Sequence, residues 1–136
     1  IVGFPSEGES HFKNTVLLIQ KLCPLRTHIF PFSPRVGTCA GAMRTVQVSP
    51  CAIEARISQL RDVAAACSAN FRQRFLGEKA DVLVESRHGD KPRYYKGYTD
   101  NYIPVMVHSK RDLVNQIVPV TLAALKDDGV IGELRK

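Results

Sequence analysis

The chain has no run of about eighteen consecutive apolar residues, so no stretch is long and oily enough to span a bilayer as a helix. It also lacks a basic segment leading into a short apolar stretch and a small-residue cleavage site, which excludes a secretory signal within its 136 residues. The expectation is a cytoplasmic protein with no membrane partner. An initiating methionine is absent too: Ile1, Val2 and Phe4 read as the end of a buried strand. A strand end with nothing before it would be unpaired, so more chain is expected upstream. Cysteine is sparse and scattered. Cys23, Cys39, Cys51 and Cys67 stand 16, 12 and 16 residues apart, whereas zinc and iron-sulfur loops bring two or three thiolates within a few residues of each other. No metal site is expected from them. They read as thiols of a reducing compartment, with Cys67 in a core.

What is present falls into three parts. Residues 1–48 look α/β. Gly3 and Pro5 turn the chain after the opening strand, and Ser6 with Glu9 fits the S-x-x-E box of a helix start. Phe12, Val16, Ile19 and Leu22 then recur at steps of three and four, so a helix should run to the Cys23-Pro24 break. Residues 27–32 supply a second strand, parallel to the first in a β-α-β unit that needs further strands to cover it. Beyond it, HIFPFSPRVGT (residues 28–38) breaks from an apolar run into a loop with Pro31, Pro34, Arg35, Gly37 and Thr38. Two readings are open: a ligand-binding loop at the carboxyl end of a strand, or a rigid turn set by proline and glycine.

Residues 49–74 read as one linking helix, with Ser49 as N-cap and Pro50 in the first helical position. Ile53, Ile57, Leu60, Ala64, Cys67 and Phe71 make one narrow apolar stripe. Arg56, Gln59, Arg61, Arg72 and Arg74 occupy the rest and read as a solvated face. A coiled-coil partner is the alternative, although the stripe runs for fewer than about four heptads.

Residues 75–136 change period. ADVLVES, RYYKGYT, YIPVMVHS, QIVPVTLAAL and VIGEL read as five short strands, broken at Gly89-Asp90, at residues 99–101 and at Asp128-Gly129. A small barrel or sandwich follows. The whole chain carries a formal net charge of +6. Much of that excess lies near these hairpins, in Arg87, His88, Lys91, Arg93, Lys96, Lys110 and Arg111, interleaved with Tyr94, Tyr95, Tyr98 and Tyr102. Cations for phosphates and flat rings for bases are what loop or single-stranded RNA recognition needs. The bland reading is a basic surface whose tyrosines pack inward, and alternation requires that some of them do.

Three segments carry a resemblance to a family. IVGFPSEGESHF resembles the IVGFPGETEEDF segment of radical S-adenosylmethionine methylthiotransferases, FPFSPRVGT resembles their FPYSPRPGT, and FRQRFLGEKADVLVE resembles the start of their C-terminal TRAM domain. The S-P-R-x-G-T loop and GYTDNYIPV look most like the branch acting on N6-threonylcarbamoyladenosine at position 37 of transfer RNA. The branches acting on isopentenyladenosine or on a ribosomal protein are the alternatives, as is an RNA-binding module with no enzymatic parent. The resemblance implies an α/β plus all-β chain: the C-terminal remnant of a radical-enzyme (β/α) barrel in residues 1–48, a linking helix in 49–74, and a five-stranded antiparallel TRAM β-barrel binding transfer RNA at its anticodon loop in 75–136. The intact enzyme would use 4Fe-4S clusters, S-adenosylmethionine and an electron donor to place a methylthio group on C2 of the adenine. The family's C-x-x-x-C-x-x-C loop is not in this sequence, so neither catalytic residue, metal ligand nor bound cofactor is expected here, and the chain should be inactive unaided. By the same resemblance, Gly3, Glu7, Phe30 and Phe32 fall toward the cofactor, and Arg35 and Thr38 toward the substrate. Ser6 and Gly8 depart from the family's Gly and Thr, which puts the turn and cap there in question. On the barrel, the RNA contacts expected from the residues are Arg93, Lys96, Tyr98, Tyr102, Lys110 and Arg111.

Overall fold

The structure is a computed structural model, and it describes residues 1–43, 47–89 and 91–135. The chain forms two compact units, Ile1–Ser68 and Ala69–Lys136, joined through one continuous helix.

In the first unit, helix α1 spans Glu9–Leu22 and α3 spans Pro50–Gln73, with a single short turn of helix, α2, at Cys39–Ala42 between them. The periodic apolar residues pack as their spacing requires, except Leu22 at the end of α1, which is 66% exposed. Phe12 and Val16 of α1 and Leu60 of α3 are buried together with Val2, and Ile19, Ile29, Ile53, Ile57 and Val63 pack around them. Ser49 caps α3, its hydroxyl accepting from the Ala52 N–H at 3.2 Å. Helix α1 ends at Leu22, where Cys23 turns into the left-handed region with φ 46°.

Two local expectations need correcting. Ser6 is not the N-cap of α1. It sits at φ 66° inside a tight turn closed by the Glu7 N–H on the Phe4 carbonyl, and the helix starts two residues later behind Gly8. His11 reaches back to the Gly8 N–H through Nδ1 at 3.1 Å, filling the role expected of a glutamate. The second strand also does not form as its composition suggests. Among the described residues, residues 27–32 form one parallel bridge and no strand, Val2 with Pro31, through Val2 N–H to Phe30 O and Phe32 N–H to Val2 O. Pro31 has no N–H to extend the ladder.

In the second unit, β1 (Lys79–Arg87), β2 (Tyr94–Tyr98), β3 (Pro104–His108), β4 (Ile117–Lys126) and β5 (Gly129–Leu134) close into a barrel in the order β1-β2-β3-β5-β4. All five strands fall where the alternation places them. Four seams are antiparallel, and β3 pairs with β5 in parallel. Direction cannot alternate all the way round a closed ring with an odd number of strands, so one parallel seam is obligatory. Asp90, half of the first expected break, lies outside the described residues. The last hairpin turns on Asp127-Asp128, with Gly129 already paired to Lys126; Asp127 takes the positive φ there, 49°.

The barrel interior is filled by Val82, Val84, Tyr95, Val105, Val107, Val118, Val120, Leu122 and Val130, with Ile103 and Leu113 also fully buried. Gly97 makes room where β2 crosses β1, since a Cβ there would collide with the Leu83 carbonyl and the Val82 side chain. Two arginines expected on a solvated helix face are instead engaged, Arg72 buried and Arg56 half-buried. Arg72 is 5% exposed and its Nη1 donates to the carbonyls of Asp127 at 3.0 Å and Gly129 at 3.4 Å. Arg56 pairs with Glu7 at 2.8 Å with side-chain exposures of 12% and 10%, and lies over the Phe12 ring. The long guanidinium stem reaches polar groups that helix periodicity cannot foresee.

Candidate nucleic-acid interface

Strand β2 carries the site. Its buried members are Tyr95 and Gly97, so Tyr94, Lys96 and Tyr98 share the outward side. A cation between two aromatic rings at i, i+2 and i+4 follows directly from the strand period. Tyr94 meets His108 across the ladder, ring centroids 5.0 Å apart. Lys96 stands between Ser86 and Met106, and Tyr98 between Leu83 and Pro104. Leu83 in turn pairs with Ile117, and both are well exposed, at 47% and 68%. Ile117, Leu83, Tyr98 and Pro104 therefore form one apolar row across four strands. Alternation could have revealed it: Leu83 lies between the inward Val82 and Val84, so it must face out although it is apolar.

The charged residues gather at one end of this face. The Ser109 N–H donates to the Arg93 carbonyl at 2.9 Å, which sets the exposed Lys110 and Arg111 beside Arg93. Arg87 is neutralised by Asp112; its guanidinium holds that carboxyl below its ordinary value. His88 lies among cations. Burial pushes its imidazole below the usual value, Lys96, Lys91 and Lys126 push the same way, and Asp127 pulls back. Its Nδ1 is buried and has no hydrogen-bond partner among the described residues. Tyr102 ends the β2–β3 turn, 70% exposed, with φ 62°. Thus five of the six expected RNA-contact residues, Arg93, Lys96, Tyr102, Lys110 and Arg111, are exposed, and Tyr98 is half-buried.

Of the residues expected toward a cofactor, Gly3 and Glu7 are engaged with each other, and Phe30 and Phe32 with other rings. The Glu7 carboxylate accepts the Gly3 N–H at 2.8 Å as well as pairing with Arg56. Gly3 is buried at φ 82°, and a Cβ on it would lie 2.6 Å from Ile53 Cδ1. Phe30 is 60% exposed and stacks on His28, while Phe32 packs edge-on against Phe4 at 5.2 Å. Arg35 and Thr38 are exposed neighbours: the Thr38 hydroxyl donates to the Arg35 carbonyl at 2.8 Å and accepts the Gly41 N–H at 3.0 Å. Among the described residues no group of three or more His, Cys, Asp and Glu could hold a metal ion. No helix among them is long and apolar enough to cross a membrane.

No protein-family model matches the chain. The threonylcarbamoyladenosine tRNA methylthiotransferase MtaB of Bacillus subtilis (strain 168) is 29% identical to it over 124 residues, which is 90% of this chain and 27% of that protein. The chain thus spans about a quarter of the length of that relative. The similarity to this methylthiotransferase runs along 90% of the chain, through both the α/β unit and the closed five-stranded barrel.

Proposed function

We propose that the chain is part of a longer transfer-RNA-modifying methylthiotransferase, and that its barrel is the TRAM domain that holds the RNA. The observation that carries this is the outward face of β2, where Lys96 stands between Tyr94 and Tyr98 beside the cationic end formed by Arg93, Lys110 and Arg111. A five-stranded Greek-key barrel is the architecture whose strand 2–3 face binds oligonucleotides in other proteins, and β2–β3 is the face used here. The finer reading is that the substrate is N6-threonylcarbamoyladenosine, methylthiolated at C2; it rests on the relative's name and on GYTDNYIPV. In that enzyme other parts of the chain would hold the clusters, while Gly3, Glu7, Phe30 and Phe32 would lie toward S-adenosylmethionine. Gly3, Glu7 and Arg56 would brace the strand end, with Phe30, Phe32, Arg35 and Thr38 on the loop toward the reaction.

Binding of transfer RNA to the chain should be weak and strongly salt-dependent. Lys96→Ala should reduce the slope of log affinity against log salt by roughly 0.7 to 0.9, the signature of one lost phosphate contact. Tyr98→Ala should cost about 1 to 3 kcal/mol with the slope unchanged, as a lost base stack does. Gel-shift titrations at several salt concentrations separate the two. Unchanged binding in both variants, or equal wild-type affinity for duplex DNA, would refute the interface.

A further inference from the structure

A cavity of about 600 Å³ opens at one end of the barrel, between the start of β1 and the β2–β3 turn. The volume is in the range of small-ligand sites. Phe75 forms an aromatic wall, and Arg74, Lys79, Asp81, Asp100 and Asn101 stand around it. Phe75 is held by Phe71, ring centroids 5.2 Å apart, and the Arg74 guanidinium rests over the same Phe71 ring at 4.8 Å.

The charges decide what the cavity takes. With Glu78 also lining it, three carboxylates face two cations, so a phosphate would be repelled. A neutral, flat group with hydrogen-bond donors along one edge is favoured. The turn is built to present acceptors. The Thr99 hydroxyl accepts the Ile103 N–H at 3.0 Å and donates to Asn101 Oδ1, which leaves the Asn101 amide NH₂ as a donor. Asp100 Oδ1 accepts the Asn101 N–H at 2.8 Å, which fixes its carboxylate and leaves Oδ2 as an acceptor. A donor beside a carboxylate matches the Watson–Crick edge of guanine, with O6 toward the amide and the N1 and N2 hydrogens toward the carboxylate. Of the four bases, guanine places the most donors on one edge.

We infer that this cavity is a single-base pocket selecting an unpaired guanine, its face on Phe75 and its edge on Asp100 and Asn101. The inference rests on the RNA-binding reading above. Thr99 directly follows Tyr98, and Tyr102 closes the same turn, so a strand lying on the outward face of β2 passes the mouth of the cavity.

The test is fluorescence anisotropy of the full chain with labelled RNA nonamers, all uridine except for the central base. Guanine at the centre should bind about tenfold tighter than uridine, adenine or cytosine, the discrimination of one good bidentate base contact. Asp100→Asn should erase that preference, with affinity for the four nonamers rising together because one negative charge beside the RNA is removed. The Asn101 N–H keeps Oδ1 in place, so the new amide nitrogen would face the donors of guanine. Asp100 is exposed, so folding is not at stake. Equal affinity for the four central bases, or a guanine preference that survives Asp100→Asn, would overturn the pocket while the RNA-binding reading stands. No binding of any nonamer or of transfer RNA would overturn both.

Discussion

Tyr102 is a residue where local conformation and fold disagree. A bulky side chain at φ 62° is strained, and with 70% of its surface exposed it recovers little by burial. Strain of this kind concentrates at sites that bind. Tyr102→Gly should therefore raise stability by up to about 1 kcal/mol in urea titration, while transfer-RNA affinity falls at least severalfold. A loss of both would mean that the ring is structural. His88 offers a second test at the same scale. Its lowered value in the folded chain means that the unfolded chain holds the proton more readily. Its contribution is therefore present above the ordinary value near 6.5 and is lost as pH falls through that value toward the folded one. RNA phosphates would do the opposite and raise it, so affinity should increase as pH drops from 7.5 toward 5.5, by at most about tenfold per unit for a single proton. His88→Gln should flatten that added pH dependence of both stability and affinity; curves that match the wild type would place the titrating group elsewhere.

At the scale of elements, Arg72 ties the last turn of α3 to the barrel. Its guanidinium satisfies two carbonyls of the β4–β5 hairpin, and bonds from a charged donor are worth about 1.5 to 3 kcal/mol each. Arg72→Ala should cost roughly 3 kcal/mol by chemical denaturation, and Arg72→Lys should recover part of it. A variant within about 0.5 kcal/mol of wild type would show that the bonds contribute nothing. Element positions are largely legible from local pattern. Alternation places all five strands, and Ser49-Pro50 marks the start of α3, since caps and periods are properties of consecutive residues. The start of α1 is not legible, because Glu7 and Arg56 meet across 49 positions and draw the turn around Ser6 out of the cap that its spelling suggests. Of the candidate interface, the cation and tyrosine types are readable. Their arrangement on one face is not, because Arg93 and Ser109 are joined only by the β2–β3 ladder and its end.

At the scale of the molecule, the two units differ in closure. The barrel is closed, whereas the first unit, among its described residues, has one parallel bridge and leaves Leu17, Leu18, Leu22 and Phe30 exposed. Amide exchange should be slowest at Val82, Val84, Val105, Val118 and Val120, and markedly faster at Val2 and Phe32. A fragment of residues 69–136 should melt cooperatively, and one of 75–136, lacking Arg72, should be less stable. Equal protection in both units would remove the distinction.

The periods are written in the sequence: which residues face in along each strand and helix, where caps and turns interrupt them, and that the excess charge is positive and interleaved with tyrosine. These depend on neighbours a few positions apart, and backbone geometry converts them directly into faces. The partners are settled only in three dimensions. Folding closes five strands into a ring that must contain one parallel seam, buries Arg72, pairs Arg56 with Glu7 at the turn, and sets Asp100 and Asn101 at a cavity beside Phe75. Those outcomes depend on groups far apart in the chain competing for the same space and the same hydrogen bonds, and no local pattern records that competition.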